Sequence, residues 1–320
     1  MRASAIAQPN IALIKYWGKR DVRKNLPAVG SQSITLDSLW TTMDVEFSTE
    51  LTADALKVNG SDSPAMLPRL SRCLDAVAGA DRPAARIISE CNFPIAAGLA
   101  SSASSFAALI VAADAALDQG RDTLTLARAA GAASGSAARS LYAGFVELRA
   151  GDSDIDLEQL AAPEDWPLDV IVAVTSAGAK PVSSGDAMIR SAETSPFYAR
   201  WVDEQQDDLD IGRAAIEARD FARLAEVSEH NCLKMHSVMW TSRPSIVYWN
   251  QVTLACMQTV RDLRASGHAV FFTIDAGPQV KAVCLPGDAD AVAAALADVD
   301  GVIDVMRTGL GKGARVVADE

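Results

Sequence analysis

Between residues 94 and 140 this chain spends few atoms on side chains. "PIAAGLASSASS" (94–105) leads into an alanine-rich helix ending near Leu117. "TLTLARAAGAASGSAARS" (123–140) reads as a second small-residue helix. Helices this thin let another backbone approach closely, as glycine and alanine do wherever chains must come near one another.

The remaining segments mix strands and helices. Residues 1–60 read as strands and turns, with alternation in "TTMDVEFS" (41–48) and a hairpin signal at Asn59-Gly60. "AMLPRLSRCLDAVAG" (65–79) places Leu67, Leu70, Leu74 and Val77 on one helical face. "AARIISECNF" (84–93) and "LDVIVAVTS" (168–176) read as strands. Between them, 150–167 is acidic, polar and proline-punctuated, which marks a boundary or an excursion. Residues 203–230 are helical and charged, and 245–267 reads as one long amphipathic helix stopped by Gly267. Strands at 268–275 and 280–286 follow, then a helix and a strand. Mixed order with hairpin signals predicts an α+β fold in two layers. A length of 320 residues suits two domains.

The formal charge is −12. That excludes a general nucleic-acid binder, which needs a basic surface. An anionic substrate must then be held by a local cationic pocket. The odd number of cysteines, five, without C-x-x-C spacing, fits reduced thiols rather than a disulfide framework. No signal peptide is evident, and the apolar run 106–117 is broken by Asp114, so a cytoplasmic protein without membrane association is expected. The three histidines lack zinc-site spacing and an evident acid partner.

Several short stretches could carry chemistry. In "NIALIKYWGKRD" (10–21) an apolar strand ends in cations, with Lys15, Lys19, Arg20, Arg23 and Lys24 against Asp21. "PIAAGLASSASS" joins a strand to a helix N-terminus through Gly98, Ser101 and Ser102, which suits either a phosphate site or a simple helix cap. In "SGSAARS" (134–140), Arg139 can grip phosphate or carboxylate at two points, or lie on the surface. Asp275 in "FFTIDAGPQV" follows an apolar strand, as a partly desolvated base or as a turn residue. "KPVSSGDAM" (180–188) adds hydroxyls at a helix start, and "TGLGKGARV" (308–316) reads as a glycine-rich turn before a last strand.

In combination and in this order, "AQPNIALIKYWGKRD", "LPAVGSQSITL", "NFPIAAGLASSASSFAAL", "SGSAARSLYAGF", "VSSGDAM" and "FFTIDAGPQV" closely resemble the diphosphomevalonate decarboxylase family of the GHMP kinase superfamily, from about residue 5 to about 315. The resemblance implies two α+β domains, 1–166 for ATP binding and 167–320 carrying the catalytic aspartate, with the active site in the cleft between them. It implies that ATP and Mg²⁺ phosphorylate the 3-hydroxyl of mevalonate 5-diphosphate, after which phosphate and CO₂ leave and isopentenyl diphosphate forms. Asp275, Arg139 and Lys15 match catalytic positions. Tyr16, Lys19, Ser134, Ser136, Ser184 and Met188 match substrate positions, and Gly98, Ser101 and Ser102 match the ATP phosphate loop. No metal ligand is indicated. A homodimer is common in the family. The chain departs from it at Gly185-Asp186, where many bacterial members carry an arginine near the diphosphate. That leaves room for mevalonate 5-phosphate as substrate, or for a kinase of the superfamily that does not decarboxylate.

Overall fold

The computed structural model describes residues 1–93, 101–178 and 180–317. In chain order the strands are β1 (Arg2–Ala7), β2 (Asn10–Ile14), β3 (Lys19–Asp21), β4 (Leu26–Pro27), β5 (Ser31–Thr35), β6 (Thr41–Ser48), β7 (Ala55–Val58), β8 (Ser61–Asp62), β9 (Ala84–Cys91), β10 (Phe145–Ala150), β11 (Ile155–Ala161), β12 (Asp169–Val174), β13 (Val270–Thr273), β14 (Val280–Cys284), β15 (Asp304–Thr308) and β16 (Arg315–Val317). The helices are α1 (Leu67–Ala78), α2 (Ser101–Ala116), α3 (Thr123–Ala133), α4 (Ser184–Thr194), α5 (Tyr198–Asp203), α6 (Gln205–Ala218), α7 (Phe221–Trp240), α8 (Gln251–Ala265) and α9 (Ala289–Ala297).

Three larger sheets organise them. The first runs β16-β1-β6-β9-β7-β8, the second β11-β10-β5-β2 and the third β13-β14-β12-β15. In the first, β6 alternates buried and half-buried residues along its whole length, as a strand with one core face should. Asn59 and Gly60 both take positive φ and turn β7 directly into β8. The thin helix α2 is apolar all round and lies between the first sheet and α1 and α3. Its alanines let β1 and β6 come close.

The second and third sheets share a core. Ile11, Leu13 and Ile34 meet Val170, Val172, Phe271 and Val283, with Ala215 and Leu224 from α6 and α7. The opposite face of the third sheet packs Phe272, Ile274 and Ala282 on Met257 and Val292 from α8 and α9. The shared core brings the end of β2 against the end of β13, and that is where the charged residues converge.

Four sequence expectations are corrected. The 150–167 segment is not an excursion: β11 pairs along β10, with Ile155 and Leu157 turned inward among the acids. The helix expected over 123–140 stops at Ala133, where Ser134 turns extended, and resumes as one 3-10 turn, Ala137–Leu141. The helix expected from 245 begins only at Gln251, behind a reciprocal cap between Asn250 and Thr253. His268 also has an acid partner after all, Asp288 at 2.8 Å.

Candidate active site

Lys15 closes β2, and buried side chains from α6 and α7 hold its backbone. Its N–H donates to Asn231 Oδ1 at 2.7 Å, and its carbonyl accepts from Gln205 Nε2 at 2.7 Å. Asn231 Nδ2 donates in turn to Gln205 Oε1 and Asp208 Oδ2, and Lys234 closes on Asp208. Every amide in this clamp is therefore partnered, which makes the network rigid rather than costly.

From that fixed backbone, Lys15 Nζ reaches Ala12 O at 2.8 Å and Asp275 Oδ1 at 2.6 Å. Lys281, the second residue of β14, stands 3.3 Å from Asp275 Oδ2. Both lysines are buried, whereas the Asp275 side chain is 25% exposed. Burial alone would raise the pKa of this carboxyl. The Lys15 and Lys281 charges outweigh it and hold Asp275 well below the usual carboxylate range. Burial and the neighbouring Lys15 lower Lys281.

Arg139 sits on the 3-10 turn after α3 and is buried. Nε donates to Asn10 Oδ1 at 3.3 Å and Nη1 to Ser31 Oγ at 2.6 Å. Asn10 ties the turn down by donating to Ser136 O and Ser140 Oγ. Among the described residues no carboxylate lies within salt-bridge distance of Arg139, and burial lowers it to about 10. Tyr16 is next to it. Its hydroxyl is buried with no hydrogen-bond partner among the described residues, and burial pushes it up to about 12. A buried guanidinium without a counter-ion beside a buried hydroxyl without a partner is an arrangement that an anion would complete.

Lys19 lies further out, lowered first by burial and then by the charge of Arg69. Arg69, from α1, stacks on Phe106 and donates to Ala133 O. A Cβ placed on Gly185 would lie 3.9 Å from Lys19 Nζ, so a cation already reaches the place that the sequence left open. Asp186 is turned to Ser183, which caps α4. Ser184 accepts from Lys180 Nζ at 2.6 Å, and Lys180 also donates to Ala276 O. Met188 is buried with Tyr16 and Trp17. Ser101 and Ser102 begin α2, with Ser102 Oγ 3.4 Å from Ser134 Oγ. Gly98 lies outside the described residues.

The structure thus gathers Lys15, Tyr16, Lys19, Ser102, Ser134, Arg139, Ser184 and Asp275 through direct or one-residue links. It adds Arg69, Lys180 and Lys281, which the sequence reading missed. A lone arginine on an amphipathic helix and a lone lysine in a strand carry no spacing signal. Their role shows only when β14 and α1 are placed beside the other cations.

Comparison with known proteins defines the class. Residues 7–159 match the diphosphomevalonate decarboxylase-like N-terminal domain, and residues 170–309 match the mevalonate 5-diphosphate decarboxylase C-terminal domain. The chain belongs to the diphosphomevalonate decarboxylase family. It is 38% identical to the diphosphomevalonate decarboxylase of Aspergillus fumigatus over 91% of this chain and 79% of that one. The mevalonate diphosphate decarboxylase structure from Staphylococcus aureus superposes with a TM-score of 0.93 at 36% identity, covering 99% of this chain and 98% of the other. A structure described as MDDEF in complex with MVAPP, AMPPCP and magnesium superposes at 0.92 with 34% identity, covering 100% and 99%. The expected two-domain α+β architecture is that of these structures.

Proposed function

We propose that this protein catalyses the ATP-dependent decarboxylation of mevalonate 5-diphosphate to isopentenyl diphosphate, with Mg²⁺. The observation that carries this reading is the unmatched pair of Arg139 and Tyr16 beside the Lys15–Asp275 contact. It is supported by relatives whose names give the same activity and by the neighbour that holds MVAPP, AMPPCP and magnesium.

The residues present fit such ligands. Arg139, with Ser134 and Ser136 beside it, takes the substrate carboxylate. Its burial suits it to release that group as CO₂, because a fixed cation holds the carboxylate in place until its electrons move to the new double bond. Tyr16, Lys19 and Arg69 take the diphosphate, with Ser184 and Met188 closing the pocket. Ser101 and Ser102 offer hydroxyls and free N–H groups at the start of a sixteen-residue helix to the nucleotide phosphates, and Gly98, outside the described residues, is proposed with them from the family resemblance. When bound, ATP with Mg²⁺ supplies the phosphoryl group that makes a tertiary hydroxyl a good leaving group.

Asp275 accepts the hydrogen bond of the substrate 3-hydroxyl and fixes its oxygen. Its two lysines keep it ionised and also weaken it as a base, so its main contributions are orientation and field. Lys15 fixes Asp275 Oδ1 from the substrate side. The proposed domain division, 1–166 and 167–320, assigns Lys15 to the first domain and Asp275 to the second, which touch at their 2.6 Å contact, with β16 returning to the first sheet. Among the described residues no helix is long and apolar enough to cross a membrane. A cytoplasmic homodimer remains the proposed state, and sedimentation of the purified protein checks its dimeric part.

The test is CO₂ release from mevalonate 5-diphosphate and, separately, mevalonate 5-phosphate, with Mg-ATP. Release from the diphosphate supports the proposal. Preference for the monophosphate, or ADP formed without CO₂, overturns it.

A further inference from the structure

Lys281 is the second residue of β14, opposite Thr273 and Val172. It shares that sheet face with Phe271 and Val283, which belong to the apolar core joining the second and third sheets. Its side chain is wholly buried. A buried ammonium is a costly group unless a specific partner needs it. Lys15 holds one oxygen of Asp275, at Oδ1. What Lys281 adds is a contact to the second carboxylate oxygen, made from the core side.

We propose that Lys281 is a positioning residue for the reaction: it pins Asp275 Oδ2 from inside the protein and keeps the carboxylate ionised, so that the Lys15 side of the group meets the substrate hydroxyl in one orientation. This rests on the proposed decarboxylation. Lys281 itself has no exposed surface and touches no substrate.

The groups around Asp275 leave few other sources for this effect. From β2 comes Lys15, from the 3-10 turn Arg139, and from the segment before α4 Lys180. From α7 come His236 and Cys232. Burial lowers His236 to about 3 and raises Cys232, so both face Asp275 uncharged at neutral pH. Lys281 is the cation that holds Oδ2.

The test uses the full-length enzyme with Lys281→Met, which keeps length and removes charge. We expect kcat for CO₂ release to fall by about tenfold or more, with KM for both substrates changed by less than about threefold. The ¹³C-carboxyl titration of Asp275, assigned by its loss in Asp275→Asn, is expected to move up by about one unit or more. Lys281→Arg restores the charge and is expected to return that titration to its wild-type position. An unmoved titration with unchanged kcat in Lys281→Met overturns the proposal. So does an equal upward displacement in both variants, since lost packing would then be the cause. Should Lys281→Met fail to fold, Lys281→Arg decides alone: titration at the wild-type position supports the proposal, and an upward displacement overturns it. A wild-type enzyme that releases no CO₂ overturns the proposed function instead, and leaves the carboxyl titrations readable.

Discussion

Around Arg82, one guanidinium meets two carboxylates. Nε donates to Asp75, Nη1 and Nη2 grip both oxygens of Asp54, and the remaining donors reach the carbonyls of Pro83 and Ser71. Asp54 also accepts from the N–H of Ala85. Around Asp275 the proportions reverse. One carboxylate meets two ammonium groups, and Arg139 stands near with no acid of its own. Both clusters use the same functional groups and both are largely withdrawn from water. The Arg82 cluster has every donor spoken for, and it fastens β9 and α1 to the segment before β7. Among the described residues, the Asp275 cluster has Arg139 without a paired acid and the Tyr16 hydroxyl without a partner, so it gains most when an anion arrives. Completeness marks the structural cluster, and incompleteness marks the functional one.

The sharpest way to break this contrast is Asp275→Asn. CO₂ release should fall by roughly 10²–10⁴, the span for losing a positioned carboxylate, with nucleotide affinity unchanged in a binding titration. Turnover near wild type would remove Asp275 from the mechanism. Next comes Arg139→Gln. A substrate cation lost from a buried site should lower kcat/KM by roughly a hundredfold. Because no carboxylate among the described residues pairs with that cation, thermal stability should stay level or rise. A large drop in Tm would place Arg139 with the structural cluster.

Arg82→Gln should do the opposite. It leaves Asp54 buried without its cation, and urea unfolding should show a loss of about 2–3 kcal/mol. CO₂ release at a permissive temperature should not change. The smallest effect concerns pH. Arg82 and its neighbours lower Asp54 from 3.8 to about 2. The unfolded chain therefore binds this proton first as pH falls. The stabilisation is complete above pH 3.8 and is lost on descent towards about pH 2. Unfolding curves across that window should be steeper in pH for the wild type than for Asp54→Asn, and equal slopes would count against the pairing.

Much of this was open to a sequence reader because chemistry and chain neighbourhood coincide there. The face of α1, the alternation of β6 and the Asn59-Gly60 turn are local patterns, and the structure keeps them. Lys15, Tyr16 and Asp275 lie in stretches where an apolar run ends in charge, whereas Arg139 is a lone arginine among small residues and serines, and the roles of Tyr16 and Arg139 come from the family resemblance. What stayed hidden depends on distant partners. Asn231 and Gln205 are ordinary polar residues on amphipathic helices until they are seen to hold both backbone groups of Lys15. Lys281 interrupts a strand and gives no reason for doing so until Asp275 is placed beside it. The inward residues of β11 were masked by the acids between them, because a strand paired on one side can carry charge on its outer face.

The pairing of β16 with β1 has a consequence for how this molecule comes into being. Arg315, Val316 and Val317 lie against Ile6, Ala5 and Ser4. β1 leaves the ribosome long before β16 does. In between, the outer edge of β1 lacks the strand that will cover it, and such an edge invites wrong partners. The first sheet is therefore completed only after the segments between the two strands have been made, through a very long loop closure.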